Sequence, residues 1–152
     1  MKLAKLSLAA IVVAGLTSSS FAADNLADAF KNGKVSGELK AYYFSNKDDV
    51  GDKDSIFTTG VLLNYKTDTL YGFGLNLTAQ GSSSPFADHG AKDDYKYSMY
   101  GPGAQISEAY LSYTLGKTTA LVGRMFLDTP LVASSGSRVI KDAFEGAAII
   151  NT

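Results

Sequence analysis

Residue types suited to chemistry are few in this chain. Its 152 residues contain one histidine, His89, and no cysteine. The lack of cysteine excludes thiolate catalysis, thiolate-bound zinc and disulfides. A catalytic triad would need His89 beside a nucleophile and a carboxylate. It lies instead in a Gly/Ser/Pro stretch with no nucleophile-elbow motif. Four aspartates crowd KDDVGDKD (47–54), and calcium favours such oxygens. Their spacing does not fit D-x-[DN]-x-[DN]-G with a distal Glu, so a solvated loop is expected. Asp93 and Asp94, near His89, read the same way. GFG (72–74) opens no helix, so it is no phosphate loop. No enzymatic activity, metal or cofactor is expected.

The chain start has a different character. MKLAKLSLAAIVVAGLTSSSFA (1–22) joins a basic start, Lys2 and Lys5, to an apolar run and a small-residue Ser20–Phe21–Ala22 end. This is the pattern of a cleaved export leader. The apolar run is short for a spanning helix, which needs about 20 residues. The expected organisation is a signal peptide over 1–22 and a single structural unit over 23–152. The formal charge of −1 falls to −3 when Lys2 and Lys5 leave with the leader. That balance does not suit nucleic acid as a partner.

The elements beyond the leader are mostly strands. DNLADAFKNGK (24–34) places Leu26, Ala29 and Phe30 on one side of a short helix. Asp24 or Asn25 is placed to cap its start and Gly33 to end it. The period then changes from 3.6 to 2. Strands are expected at 34–44, 55–66, 70–82, 105–115 and 119–127, with a sixth beginning at 146. In LYGFGLNLTAQGS (70–82), Tyr71, Phe73, Leu75, Leu77 and Ala79 take one face. Gly72, Gly74, Asn76, Thr78 and Gln80 take the other.

The connections alternate long and tight: 46–54 long, 67–69 tight, 82–104 very long, 116–118 tight and 128–144 long. Transmembrane barrels alternate in this way, with short periplasmic turns and long outer loops. A secreted β-sandwich is the alternative, since its strands also alternate. Three features favour the barrel. The strands run about 10–13 residues, long enough to cross a bilayer at a tilt. The polar faces carry Gly, Thr, Ser, Asn and Gln more than Lys and Glu. Aromatic residues gather near strand ends. The expected fold is therefore all-β, a transmembrane antiparallel β-barrel with a short N-terminal helix. About 8 strands are the minimum for closure, so the five or six present are expected to be the N-terminal part of a larger barrel. On this reading Glu38, Lys40, Lys66, Asn76, Gln80 and Glu108 line the lumen. The sequon Asn76–Leu77–Thr78 then falls in the membrane band by chance.

GRMFLDTPLVASSGSRVIKDAFEG (123–146) carries Gly123–Arg124, Pro130, Ser137–Arg138 and Phe144–Glu145–Gly146. This pattern resembles the OprD-type family of outer-membrane porins, and DAFKNGKVSGELKAYYF (28–44) is similar to the family's mature N-terminus. The family often has Pro a few residues after Ser-Arg, where this chain has Lys141. The resemblance implies a barrel of about 16–18 strands in the bacterial outer membrane, passing small hydrophilic solutes. It also implies that the third long loop, 128–144, folds into the lumen. Basic residues facing acidic ones there would orient anionic or zwitterionic solutes. The candidates are Arg124 and Arg138 on one side and Asp128, Asp142 and Glu145 on the other, with Lys141 able to join either. Arg124, Arg138 and Glu145 would serve equally to hold the loop down by pairing. Expected partners are outer-membrane lipid and small hydrophilic solutes, and a homo-oligomer is admitted. Alternatives are an adhesion or receptor barrel without conduction, and a soluble secreted binding module.

Overall fold

A computed structural model describes residues 6–13, 23–47, 53–87, 103–136 and 138–151. His89, Asp93, Asp94, the middle of the acidic loop (48–52), Ser137 and the leader's Lys2, Lys5 and 20–22 end lie outside the described residues.

The chain is all-β with one short helix. Its elements are β1 (Leu6–Val13), α1 (Leu26–Lys31), β2 (Lys34–Lys47), β3 (Lys53–Lys66), β4 (Phe73–Ser83), β5 (Gly103–Leu115), β6 (Thr118–Met125) and β7 (Phe144–Asn151). β2 to β7 form an antiparallel meander of six strands in chain order, and β1 adds a seventh at the β2 edge. Leu6–Val13 is the apolar heart of the expected leader, so leader removal would bare that edge of β2.

The alternation in sequence becomes two unlike faces. β2 and β3 pair without a break from Lys34↔Lys66 to Lys47↔Lys53, which puts Leu39 beside Val61 and Tyr43 beside Phe57. β4 continues the pattern, with Leu77 in register with Tyr65 and Ala109. Strict alternation would turn Ile106 toward the polar face with Glu108. A bulge prevents this: Ala79 pairs with Ile106 and Thr78 with Glu108, leaving Ser107 as the extra residue. Ile106 therefore stays exposed while Ser107 is fully buried.

Some boundaries differ from expectation. β4 starts at Phe73, because Leu70 and Phe73 exchange both backbone hydrogen bonds (2.8 and 2.9 Å) around a tight turn at Tyr71 and Gly72. The connection expected at 67–69 therefore extends to 72, and Tyr71 stands exposed in the turn. β6 ends at Met125, since the Phe126 amide leaves the ladder for the Glu108 carboxylate. α1 is capped by Asn25, whose side-chain oxygen accepts from the Asp28 amide at 3.0 Å. Asn32, not Gly33, closes its end. The helix is tied to the β3–β4 end of the sheet. Tyr65 Oη donates to the Phe30 carbonyl at 2.5 Å, and the Asp68 amide donates to the Ala29 carbonyl at 2.9 Å.

Gly123 has a special backbone. Its φ is 134°, a region closed to other residues. A Cβ there would run into the Ala109 carbonyl and lie 2.8 Å from Tyr110 Cα. Gly123→Ala is expected to lower folding stability by about 2 kcal/mol, from strain and forced strand separation. Urea titration of the folded protein measures it, and a change below ~0.5 kcal/mol would contradict the account.

Candidate functional site

The burial of this sheet is inverted. Leu39, Leu63, Leu111 and Val122 are 55–62% exposed, whereas Thr78, Gln80 and Lys40 are 1%, 2% and 5% exposed. Along β4 the alternation is nearly complete: Gly74, Asn76, Thr78 and Gln80 are buried, while Phe73, Leu77 and Ala79 are exposed. Buried polar groups and exposed large apolar ones are the informative departures from ordinary packing. What covers the polar face is the chain itself, through the β6–β7 connection.

This connection begins as a small hairpin. Asp128 bridges Ala133, Ser134 donates its amide to the Leu127 carbonyl at 2.6 Å, and Thr129 closes the tip with Val132. Leu131, at that tip, is exposed. Gly136 and residues 138–142 then cross the polar face. Tyr42 Oη donates to the Gly136 carbonyl at 3.4 Å. Lys40 Nζ donates to the carbonyls of Arg138 and Val139 at 3.2 and 3.3 Å. Its ammonium also lies 4.0 Å from the Glu38 carboxylate. The Gln80 amide nitrogen donates to the Lys141 carbonyl at 2.8 Å, and the Lys141 amide donates back to Gln80 Oε1 at 3.0 Å. Lys141 Nζ reaches Glu38 at 3.4 Å and lies 5.8 Å from the Phe126 ring centroid. Between these anchors Val139 is buried over Gly60, where a Cβ would come within 2.5 Å of a Val139 methyl.

Beneath the crossing segment the strands share a polar network. Asn64 donates to Asn76 and Thr78 at 3.0 and 2.7 Å. Asn76 and Thr78 in turn donate to one oxygen of Glu108 at 3.3 and 2.5 Å. The other Glu108 oxygen accepts the Phe126 amide at 2.9 Å, which fixes the start of the crossing segment. Thr58 and Ser84 share a hydrogen bond of 2.7 Å.

The residues singled out in the sequence are thus divided. Glu38, Lys40, Asn76, Gln80 and Glu108 sit together on the covered face. Lys66 is exposed at the end of β3, opposite Lys34. Arg138 and Asp142 pair with each other inside the crossing segment, Lys141 turns to Glu38, and Asp128 stays exposed in the hairpin. Arg124 and Glu145 face each other across β6 and β7, and Ala109 is the other neighbour of Arg124. By register they occupy the row of Leu77 and Val35, the exposed row. Arg124 makes no ion pair among the described residues, and its Nε and the Ser107 hydroxyl are buried without a hydrogen-bond partner. Arg124 therefore stands beside Glu145 in the ladder and pairs with neither Asp128 nor Asp142 among the described residues. The contributions of Gly60 and Val139 are missing from the sequence reading; the one available signal was a glycine on a polar face. No family model, curated protein or solved structure matches the chain.

Proposed function

We propose that this chain is the N-terminal part of a porin-type barrel of the bacterial outer membrane, of the OprD kind, through which small hydrophilic solutes diffuse. The observation that carries the reading is the inverted burial: large apolar side chains outward, polar ones inward. Bilayer hydrocarbon is the solvent for which that distribution is the low-energy one. Among the described residues no helix is long and apolar enough to cross a membrane, so the crossing elements would be strands. Both sheet edges would then have to be paired by further strands, because an open edge is not tolerated in lipid.

The aromatic residues support the same reading. Tyr43 and Phe57 are neighbours toward one end of the sheet, and Phe73 and Tyr113 pack at 4.6 Å between ring centroids toward the other. Phe57 and Tyr65 are separated by about 27 Å of strand at ~3.4 Å per residue. Tilted by ~40°, that is about 20 Å of height, close to the ~25 Å apolar band of outer-membrane barrels. On the inner side, Arg138 beside Asp142 and Lys141 beside Glu38 set both signs next to the passage. Such a field favours anionic or zwitterionic solutes that can align with it.

Planar-bilayer recording on the intact protein tests this. Stepwise ohmic currents are expected. Their absence from protein that shows the heat-modifiable migration of a folded barrel would leave an adhesion or receptor barrel. Absence of that migration would remove the barrel.

A further inference from the structure

We infer that α1 and the turn end of the sheet form a site for an anionic phospholipid of the leaflet on that side. One acyl chain lies in the groove between α1 and the outward face, and lysines at the rim hold the phosphate. This rests on the barrel reading above.

The groove exists because α1 is held at both ends. Ahead of the helix the Ala23 amide donates to the Thr69 carbonyl at 2.8 Å. At its end the carbonyls of Ala29 and Phe30 accept from the Asp68 amide and from Tyr65 Oη. A six-residue helix is not stable alone, so these ties decide where it lies. Phe30 stacks on Tyr65 at 6.4 Å between ring centroids, which seats the helix over the outward face. Between helix and sheet a groove of about 210 Å³ remains, bounded by Leu26 and Phe30 on one side and by Phe73 and Leu111 on the other. Its lining is apolar except for Thr67 and Asp68. Those four apolar side chains are 46–64% exposed, so the helix covers the groove without filling it. A slot of this kind favours hydrocarbon over water.

The charges select the lipid. Lys31 ends α1, Lys34 and Lys66 form the outermost rung of β2 and β3 at this end, and Lys117 lies in the neighbouring tight turn. All four are exposed, and none makes an ion pair among the described residues. Two of the acids at this end are engaged locally: Asp28 accepts from the Asn25 side chain at 2.7 Å and Asp68 from the Thr69 amide at 2.8 Å. At the opposite end of the sheet the connection 46–54 carries four aspartates. The two ends are therefore unlike in charge. A cationic rim beside an apolar slot is complementary to a phosphate carrying acyl chains, and the attraction of lysines to an anionic lipid surface is screened by salt. Short turns lie on the periplasmic side of outer-membrane barrels, which assigns the lipid to the inner leaflet.

Quenching by brominated lipid tests the site in the intact protein. The chain has no cysteine, so Leu26→Cys accepts a fluorophore at the groove, and Leu39→Cys accepts one on the same face away from it. Each is folded into phosphatidylcholine vesicles in which about a tenth of the lipid is brominated, either phosphatidylglycerol or phosphatidylcholine. At position 26 the brominated phosphatidylglycerol is expected to quench at least about twofold more, with the preference lost in high salt. It is also expected to be lost when Lys31→Gln, Lys34→Gln and Lys66→Gln are combined, and to be absent at position 39. Equal quenching by the two lipids at position 26 would overturn the site and leave the barrel standing. A preference that survives both salt and the lysine exchanges would overturn it too, as would an equal preference at position 39, which would mean enrichment over the whole face. No quenching at either position by either lipid would instead refute the barrel.

Discussion

Leu39→Lys is expected to cost the folded protein about 2–4 kcal/mol in a phospholipid bilayer. Leu39 is near the middle of β2 and 56% exposed, in register with Lys-free, apolar Val61. On a sheet facing water, an exposed leucine exchanged for lysine would shift stability by no more than ~0.5 kcal/mol. On a sheet facing hydrocarbon, the ammonium must stay charged in lipid, snorkel or thin the bilayer, and each route costs free energy. The two media therefore predict different magnitudes from one substitution, and no detail of the lumen enters. Urea-dependent folding in vesicles, followed by the gel shift of the folded form, gives the difference directly. A loss below ~0.5 kcal/mol would mean that the exposed face is not in lipid. The effect should also depend on depth: at Tyr43, toward the strand end, the same exchange should cost about 0–1 kcal/mol in charge terms.

The parts of the fold visible in the sequence are those set by local alternation. β3 ends at Lys66 and β5 at Leu115, as the period-2 pattern requires, and from Phe73 to Gln80 the alternation of β4 reappears in its burial except at half-buried Leu75. Period-2 patterns survive because a strand in a single sheet gives each face one solvent. Three things were hidden. The bulge at Ser107 depends on a pairing partner, since nothing in QISEAY shows that one residue must be skipped to keep Ile106 outward. The row occupied by Arg124 depends on register with β5 and β7, and a Gly-Arg pair read alone points to neither face. The contacts of the crossing segment join residues 61 to 103 positions apart, beyond the reach of any local period. Of the charged residues expected to act around the loop, Arg138 pairs with Asp142, Arg124 stands in register with Glu145, and Lys141 turns to Glu38. Glu38 and Lys40 hold the segment, while Arg138 and Asp142 satisfy each other.

Glu108→Leu is expected to remove about 3 kcal/mol of stability and to loosen the start of the crossing segment. The carboxylate accepts from Asn76, Thr78 and the Phe126 amide, and hydrogen bonds to a charged acceptor each contribute about 1.5–3 kcal/mol. Water entering from the polar side would recover part of this, which keeps the expected total below the sum. Glu108→Gln separates shape from charge. It keeps one oxygen to accept, but its amide group must point donors at Thr78 and Asn76 or at the Phe126 N–H. About half the loss is expected for it. Thr78→Val should remove two contacts, the hydrogen bonds with Glu108 and Asn64, and leave the Phe126 tether in place, so its cost should be about 1–2 kcal/mol. Glu108 thus joins two things that chain order keeps apart, the β4–β5 polar ladder and the exit from β6. If Glu108→Leu lowers stability no more than Thr78→Val does, the carboxylate is only one member of a ladder. If the loss is clearly larger, and proteolysis begins within 126–136, the carboxylate is what fastens the connection to the sheet.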